Sequence, residues 1–229
     1  MASQLTARYA AVQARVAAAC VRAGRPADAV RLVAVSKGMP AADVHAAIAA
    51  GARDFGENYV QEAESKRDVL AAVAGLRWHF IGRVQRNKAN AIATFDLVHS
   101  VADERVAAAL AAAAEGRATP LAVLLQVNVA GEATKSGVTP GELSRLLAAV
   151  RRHASLRVAG LMTLPPPLAP EAVRPVFAAL RELRDRQEEP SALPELSMGM
   201  SGDFEVAIEE GATLVRVGTA IFGPRKEKE

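Results

Sequence analysis

The chain has 229 residues, of which 51% are hydrophobic and 23% charged, and its formal net charge at pH 7 is +3. This composition is typical of a globular protein and excludes a disordered chain, and no apolar run approaches the ~18 residues of a membrane-spanning helix. We therefore predict a single domain over residues 1–229, located in the cytoplasm, with no membrane partner. Nucleic acid is not expected as a partner because no basic stripe with interleaved aromatic residues occurs. The single cysteine, Cys20, excludes an intramolecular disulfide and a cysteine-based metal site.

The chain begins with an amphipathic pattern and then alternates two kinds of segment. Apolar residues recur at helical spacing from Leu5 to Cys20, which predicts a leading helix within residues 1–24. Strands are predicted at 31–36, 54–56, 78–81, 97–99, 121–129, 156–161, 195–197 and 213–217. Helices are predicted at 41–50, 59–73, 85–93, 104–114, 141–151, 171–186, 203–210 and 219–222.

Eight strands that alternate with helices predict parallel βαβ units closed into a (β/α)8 TIM barrel, with one extra helix at the amino end. Thr139, Pro140 and Glu142 have the spacing of an N-cap, a first-turn proline and a capping-box acid, so a helix should begin there. The charged residues 224–229 are expected to form a mobile tail.

Only six of the 28 basic residues are lysines, and Lys37 has an unusual position among them. It follows the first strand and shares a face, by two-residue alternation, with Val33 and Val35, which are expected inside the barrel. Side chains at the carboxyl ends of barrel strands carry the chemistry of this fold. Two interpretations remain open: Lys37 reaches solvent from the strand end, or it is a nucleophilic amine able to form a Schiff base.

Arg216 lies within the apolar eighth strand, which barrel closure places beside the first strand. Lys37 and Arg216 should therefore face a common space. Two adjacent cations are unfavourable unless an anion or acceptor lies between them, or unless the lysine is neutralised as an imine. The alternative is a buried ion pair between Arg216 and an acidic residue such as Glu57.

Two glycine-containing segments indicate a phosphate site. Residues 198–203 follow the seventh strand and lead into a helix for which Ser201 is a candidate N-cap, with Gly202 beside it. Gly218 and Thr219 follow the eighth strand and begin another short helix. The loops after strands 7 and 8, with a helix amino terminus, form the recurring phosphate site of this fold.

The other polar residues at strand ends give weaker signals. Asn58 could hydrogen-bond a ring substituent, whereas His79, His99 and Asn128 fit buried structural residues better than catalytic groups. A ligand with a phosphate and an aldehyde, held between an arginine and an imine-forming lysine, matches pyridoxal 5′-phosphate. A phosphorylated sugar would leave Arg216 without a clear role.

Several longer motifs carry a family resemblance, which extends from about residue 30 to residue 223. The motifs are Ala34-Val-Ser-Lys37, Phe55-Gly-Glu-Asn-Tyr-Val-Gln-Glu62, Trp78-His-Phe-Ile-Gly82, Lys135-Ser-Gly137, Gly160-Leu-Met162, Leu196-Ser-Met-Gly-Met-Ser201 and Val215-Arg-Val-Gly-Thr-Ala-Ile-Phe-Gly223. The chain resembles the pyridoxal phosphate homeostasis proteins. Gly202 departs from the pattern, since the family more often has Asp there.

The resemblance implies a barrel like the N-terminal domain of alanine racemase, with pyridoxal 5′-phosphate as cofactor. It implies that Lys37 forms the internal aldimine, that Arg216 faces the pyridine nitrogen and that Asn58 lies near the ring. It places Ser201, Gly202, Gly218 and Thr219 around the phosphate.

The resemblance also implies a cofactor carrier in vitamin B6 and amino-acid homeostasis, with no catalytic residue, and it makes cofactor-requiring apo-enzymes candidate partners. A racemase of this fold takes a second base, a tyrosine, from a further domain, and 229 residues suffice for the barrel alone, so we expect no enzymatic activity. We also expect a monomer. Two alternatives stay open: an amino-acid racemase with an unrecognised second base, and a Schiff-base aldolase that needs no cofactor.

Overall fold

The computed structural model of the protein describes residues 2–132 and 134–224. Its strands are β1 (Arg31–Val35), β2 (Asp54–Glu57), β3 (Arg77–Phe80), β4 (Leu97–Val101), β5 (Leu121–Gln126), β6 (Leu156–Met162), β7 (Glu195–Ser197) and β8 (Leu214–Val217). Its helices are α1 (Ala2–Arg22), α2 (Ala41–Ala49), α3 (Val60–Val69), α4 (Ala89–Ile92), α5 (Glu104–Ala113), α6 (Leu143–Arg151), α7 (Pro170–Asp185), α8 (Phe204–Glu209) and α9 (Thr219–Phe222). Short 3₁₀ turns at Arg86–Lys88, Pro140–Glu142 and Pro190–Ala192 precede α4, α6 and β7.

The strands pair in parallel and in chain order, and β8 pairs with β1, so the sheet is a closed barrel. The predicted (β/α)8 architecture is therefore confirmed. Val33 on β1 lies opposite Arg216 on β8 and opposite Asp54 on β2, which confirms that the eighth strand is beside the first. This register decides which side chains meet inside the barrel.

The core has two parts, as the two faces of a barrel strand require. A large apolar cluster fills the space between the sheet and the surrounding helices. A smaller cluster of inward-facing side chains occupies the barrel interior: Val33, Leu97, Leu124, Ala159, Met162 and Leu214. The polar side chains described below lie among and above this smaller cluster.

The leading helix α1 matches its prediction. The predicted stripe from Leu5 to Cys20 is buried, and the helix packs against α2, α8 and α9. Arg8 Nε donates a hydrogen bond of 2.8 Å to the carbonyl of Ile221, which ties α1 to α9. Gly24 follows the helix at φ +66°, in the left-handed region where glycine is favoured.

Some predicted boundaries are wrong for local reasons. Strand 5 was expected to reach residue 129, but β5 ends at Gln126, because beyond it Val127 bridges to Val138 and the N–H of Asn128 bonds the carbonyl of Val138. The helix predicted at 59–73 ends at Val69, since the chain beyond it turns towards β3. The predicted tail lies outside the described residues except for Pro224.

The predicted helix start near residue 139 is confirmed, with one refinement. Glu142 Oε2 accepts hydrogen bonds from the backbone N–H and the hydroxyl of Thr139, at 2.9 and 2.7 Å, and the capping box is complete. The box caps the 3₁₀ turn Pro140–Glu142, which leads directly into α6.

Candidate functional site

A cavity of about 340 Å³ opens at the carboxyl ends of the strands, chiefly β1, β2, β7 and β8. Its volume lies in the range of small-molecule pockets. Seven of its lining residues are those that the sequence predicted for a site: Lys37, Asn58, Ser201, Gly202, Arg216, Gly218 and Thr219. Most of the remaining wall is apolar and includes Val35, Ile81, Leu164 and Phe222.

Lys37 lies two residues beyond the end of β1 and is partly buried. The backbone on both sides of it is held by side chains of α3. The carbonyl of Ser36 accepts a hydrogen bond of 2.7 Å from Lys66 Nζ, and the N–H of Gly38 donates to Glu62 Oε1. The position of Lys37 at the cavity wall is thus fixed through its own main chain.

Lys66 is a positioning residue that the sequence reasoning missed. It is 4% exposed, and its ammonium also binds Glu57 Oε1 at 2.6 Å and Glu62 Oε1 at 2.7 Å. Glu57 is fully buried, and burial raises the pKa of its carboxyl although the hydrogen bond from Lys66 opposes the rise. The i,i+4 spacing of Glu62 and Lys66, in a chain with few lysines, was the available signal.

Arg216 is 4% exposed and contributes to the cavity from β8. Its Nη1 donates to Ser197 Oγ, and its Nη2 donates to the carbonyl of Thr163 at 2.9 Å. Burial lowers the pKa of Arg216 to about 10, so the group is a cation at neutral pH. The alternative ion pair with Glu57 is wrong, because Glu57 extends to the helix side of the sheet and binds Lys66.

Ser201 does not cap α8 as predicted. That helix starts at Phe204 and its N-cap is Asp203, whose Oδ1 accepts the N–H of Met200. The hydroxyl of Ser201 instead accepts the backbone N–H groups of Gly218 and Ala220, at 3.3 and 3.4 Å. Ser201 therefore links the loop after β7 to the first turn of α9, the two segments expected around a phosphate.

Asn58 enters the cavity from the end of β2. Its Oδ1 is buried and has no hydrogen-bond partner among the described residues. The loop after β3 packs directly on it: a Cβ added to Gly82 would lie 2.3 Å from the carbonyl oxygen of Asn58, so this approach needs glycine. A buried amide oxygen without a donor is unfavourable, and a polar ligand in the cavity would provide one.

His79 and His99 are both inside the barrel, and neither lines the cavity. They are 1% and 0% exposed, and His79 Nδ1 lies 2.9 Å from His99 Nε2. Burial lowers the pKa of His99 well below its usual value, and the charges of nearby cations act in the same direction. Asn128 bonds the backbone of Glu132, away from the cavity.

Comparison with known proteins places these features in a family. The family model described as "Alanine racemase, N-terminal domain" matches residues 8–226. A curated relative from Pseudomonas aeruginosa, named pyridoxal phosphate homeostasis protein, is 49% identical over 225 residues, which cover 97% of this chain and 96% of the relative. The chain belongs to the pyridoxal phosphate homeostasis protein family.

The fold is similar to those of several solved structures. PipY of Synechococcus elongatus, solved with PLP bound, is 36% identical, has a TM-score of 0.83 and covers 96% of this chain and 100% of its own. Alanine racemase from Corynebacterium glutamicum has a TM-score of 0.68 at 21% identity and covers 96% of this chain and 63% of its own. At that identity the racemase shows a shared fold alone.

Two other features are absent from the part of the chain that the structure describes, a metal-binding cluster and a membrane-spanning helix. Within residues 2–132 and 134–224, no group of three or more His, Cys, Asp or Glu side chains could hold a metal ion. None of the helices in the same residues combines the length and the apolarity needed to cross a membrane. Cys20 is a free, buried thiol within α1.

Proposed function

We propose that this chain binds pyridoxal 5′-phosphate covalently through Lys37 and serves the homeostasis of this cofactor without catalysing a reaction. The observation that carries the proposal is one cavity that combines a primary amine after β1 with a guanidinium on the adjacent β8. PipY, a relative solved with PLP bound, and relatives named for pyridoxal phosphate homeostasis support it.

Lys37 and Arg216 would hold the reactive part of the cofactor. When bound, the cofactor supplies an aldehyde, whose carbon forms a C=N bond with a primary amine as one water is released. Lys37 provides the amine from a backbone that Lys66 and Glu62 hold in place. Arg216 keeps N–H groups beyond those used by Ser197 and Thr163, and these can donate to a ring nitrogen.

Asn58 fits the polar substituents of the ring. Its buried Oδ1 finds no partner within the described residues, and an amide offers an acceptor on one atom and donors on the other. A ring hydroxyl beside Asn58 that donates its proton would satisfy this Oδ1. The apolar side chains of Val35, Ile81 and Leu164 in the same wall suit the faces of an aromatic ring.

The phosphate would lie over the loop after β7 and the start of α9. The N–H groups of Gly218 and Ala220 make only long hydrogen bonds, of 3.3 and 3.4 Å, to the hydroxyl of Ser201. Phosphate oxygens are stronger acceptors than a hydroxyl and would accept these two N–H groups at shorter distances. Gly202 leaves room for them, because a Cβ added there would meet nothing within 4 Å. Thr219, also in the wall, adds a hydroxyl.

The lining of the cavity supports a carrier and not a racemase. Among the described residues that line it, Lys37 and Arg216 are the only ionisable side chains. A racemase needs a second acid or base on the opposite face of the substrate carbon. Tyr9 is buried within α1 and Tyr59 is 64% exposed ahead of α3, so neither tyrosine of the chain lines the cavity.

The test is reductive trapping of the cofactor. Purified protein incubated with pyridoxal 5′-phosphate should turn yellow, and borohydride should then fix one cofactor on the peptide that contains Lys37. Lys37→Ala should abolish both signals, whereas Lys88→Ala, in the 3₁₀ turn before α4, should leave them unchanged. A wild-type protein that stays colourless with excess cofactor would refute the binding function.

Absence of turnover needs a separate measurement. The loaded protein is incubated with L- and D-amino acids in deuterated water, and exchange at Cα is followed by proton NMR. We expect no exchange above that of free cofactor at the same concentration. Rapid exchange that disappears in Lys37→Ala would replace the carrier by an amino-acid racemase. Cleavage of sugar phosphates by cofactor-free protein would point to the aldolase alternative instead.

A further inference from the structure

A row of buried polar side chains crosses the barrel interior, from the start of β2 to the cavity. Its members come from five strands and are each at most 6% exposed: Asp54, His79, His99, Ser197 and Arg216. An isolated polar group in such surroundings is unfavourable, whereas a fully hydrogen-bonded row is stable and rigid. The binding function alone requires only its last member.

Each member contacts the next. Arg216 Nη1 donates to Ser197 Oγ, which lies 2.8 Å from His99 Nδ1. His99 Nε2 lies 2.9 Å from His79 Nδ1, and His79 Nε2 lies 3.0 Å from Asp54 Oδ1. The contacts are thus continuous between the cavity and the carboxylate.

The far end of the row reaches the amino ends of the strands. Asp54 is the first residue of β2, and Arg77, the first residue of β3, binds both of its oxygens at 2.6 and 2.7 Å. Burial alone would raise the pKa of Asp54, but the hydrogen bonds from Arg77 and His79 outweigh it and hold the pKa well below its usual range. Asp54 is therefore a carboxylate at neutral pH and can only accept hydrogen bonds.

For neutral imidazole rings, the carboxylate end of the row determines the direction of every hydrogen bond in it. Because the carboxylate of Asp54 accepts, His79 carries its proton on Nε2, and its Nδ1 accepts from the Nε2–H of His99. The Nδ1 of His99 is then an acceptor for the hydroxyl proton of Ser197. Arg216 can only donate, so it requires Ser197 Oγ as an acceptor and leaves the hydroxyl proton for His99. The arrangement that Asp54 selects has both histidines protonated on Nε2, and the donating Arg216 at the other end is compatible with it.

We propose that Asp54, His79, His99 and Ser197 form a positioning chain that fixes the orientation of the Arg216 guanidinium towards the ring nitrogen of the cofactor. Ser197 and the carbonyl of Thr163 each accept one N–H of Arg216. Because the guanidinium is planar and rigid, these two bonds also fix the directions of its remaining N–H groups. Ser197 Oγ accepts best from Arg216 when its own hydroxyl proton is directed away from the guanidinium. The Nδ1 of His99 accepts that proton and so keeps it directed away. The assignment rests on the proposed function, because it needs a ring nitrogen in the cavity.

The first test needs no cofactor. Long-range ¹H–¹⁵N spectra of the imidazole rings distinguish the two neutral tautomers from the cation. We expect the signals of His99 and His79 to be those of the Nε2–H tautomer at pH 7.5. A cationic His99, or an Nδ1–H proton on either ring, would overturn the positioning chain whatever the protein binds.

The second test reads the ring nitrogen directly. Protein loaded with ring-¹⁵N pyridoxal 5′-phosphate is compared as wild type, His99→Leu, His99→Gln, Arg216→Ala and Leu97→Ala. His99→Leu removes both hydrogen-bonding atoms, and we expect it to move the ¹⁵N shift at least halfway to the value of Arg216→Ala and to speed cofactor dissociation about tenfold. His99→Gln, which retains one acceptor and one donor, should keep most of the wild-type shift.

Leu97→Ala is the matched control, because Leu97 lies on the same strand and faces the same interior but carries no polar atom. It should lower stability and leave the ¹⁵N shift unchanged. A wild-type shift in folded His99→Leu, or an equal displacement in Leu97→Ala, would overturn the proposal. Failure of wild-type protein to take up labelled cofactor would instead overturn the proposed function, and the imidazole spectra would still report on the chain.

Discussion

At the scale of single residues, the buried pair Lys66–Glu57 stands out because it supports the site without touching the cavity. Glu57 Oε1 accepts from both Lys66 and Ser36 at 2.6 Å, while its Oε2 is buried without a partner within the described residues. Such a pair adds little net stability compared with apolar residues, but loss of one member leaves a buried charge. The pair contributes to function because Lys66 bonds the carbonyl of Ser36 and so fixes the backbone next to Lys37.

We predict that Lys66→Met lowers the free energy of unfolding by about 3–5 kcal/mol, because the carboxylate of Glu57 remains buried without its cation. Urea denaturation of the wild-type and variant proteins measures the change. In the double variant Lys66→Met/Glu57→Gln the buried charge is gone, so a large part of the loss should be recovered. Equal instability of the single and double variants would show that the cluster acts through packing and not through charge.

At the scale of elements, the predictable part of the molecule is the part that depends on short-range pattern. Alternation of apolar runs and helical stretches identified all eight strands, and the strand-end rule of barrels selected seven residues that do line one cavity. Element ends were less predictable. The prediction of Ser201 as an N-cap was wrong because α8 begins only at Phe204, with Asp203 as its N-cap. Strand β5 is shorter than predicted because Val127, just beyond its end, pairs with Val138.

The contacts behind the site could not be predicted, for a different physical reason. His99 meets Ser197 across 98 positions of sequence, and this meeting depends on the inward register of strands that are not neighbours in the sheet. Lys66 reaches Ser36 from a helix, through a rotamer that spacing does not determine. A pattern within one strand shows which face a side chain takes, but only closure of the barrel shows what lies opposite.

The loop after β7 offers a prediction at the element scale. Gly199 has φ +93°, and a Cβ there would lie 2.6 Å from Ala207 Cβ and 2.9 Å from Phe204 Cα of α8. Gly199→Ala should therefore cost about 1–3 kcal/mol of unfolding free energy and displace the loop that carries Ser201, so cofactor dissociates faster. Thermal melting and cofactor release measure the two effects.

Gly202→Ala is the control for stability. It lies three residues further along the same loop, outside the left-handed region, and a Cβ there has open space. Its melting temperature should stay close to that of the wild type. If both alanine variants melted at the wild-type temperature, the backbone of the loop would not be constrained as the structure indicates.

At the scale of the whole molecule, the barrel interior links folding to pH. The polar row from Asp54 to Arg216 joins strands from opposite sides of the barrel, so it forms only when the sheet is closed. Asp54, His99 and Arg216, whose pKa values are all lowered in the folded state, therefore bind protons differently in the folded and unfolded states. This difference makes global stability depend on pH, since the slope of the unfolding free energy against pH is proportional to the difference in protons bound by the unfolded and folded states.

We predict that His99 makes the protein less stable as the pH falls below about 6.5, the usual pKa of an unfolded histidine. The pKa of His99 is well below this in the folded state, first because of burial, so the unfolded chain binds a proton that the folded chain does not. The loss approaches ~1.4 kcal/mol for each pH unit until the folded pKa is reached. Above pH 6.5 both states are neutral and the contribution is constant.

Comparison with His99→Gln isolates this effect, because glutamine does not titrate. The raised pKa of Glu57 acts in the opposite direction, but it is present in both proteins and cancels in the difference. Urea unfolding at pH 7.5, 6.0 and 5.0 should show that the wild-type advantage over His99→Gln shrinks steadily with acidification. A difference that stays constant across this range would mean that the pKa of His99 is the same in the folded and unfolded states, against the direction that burial gives it.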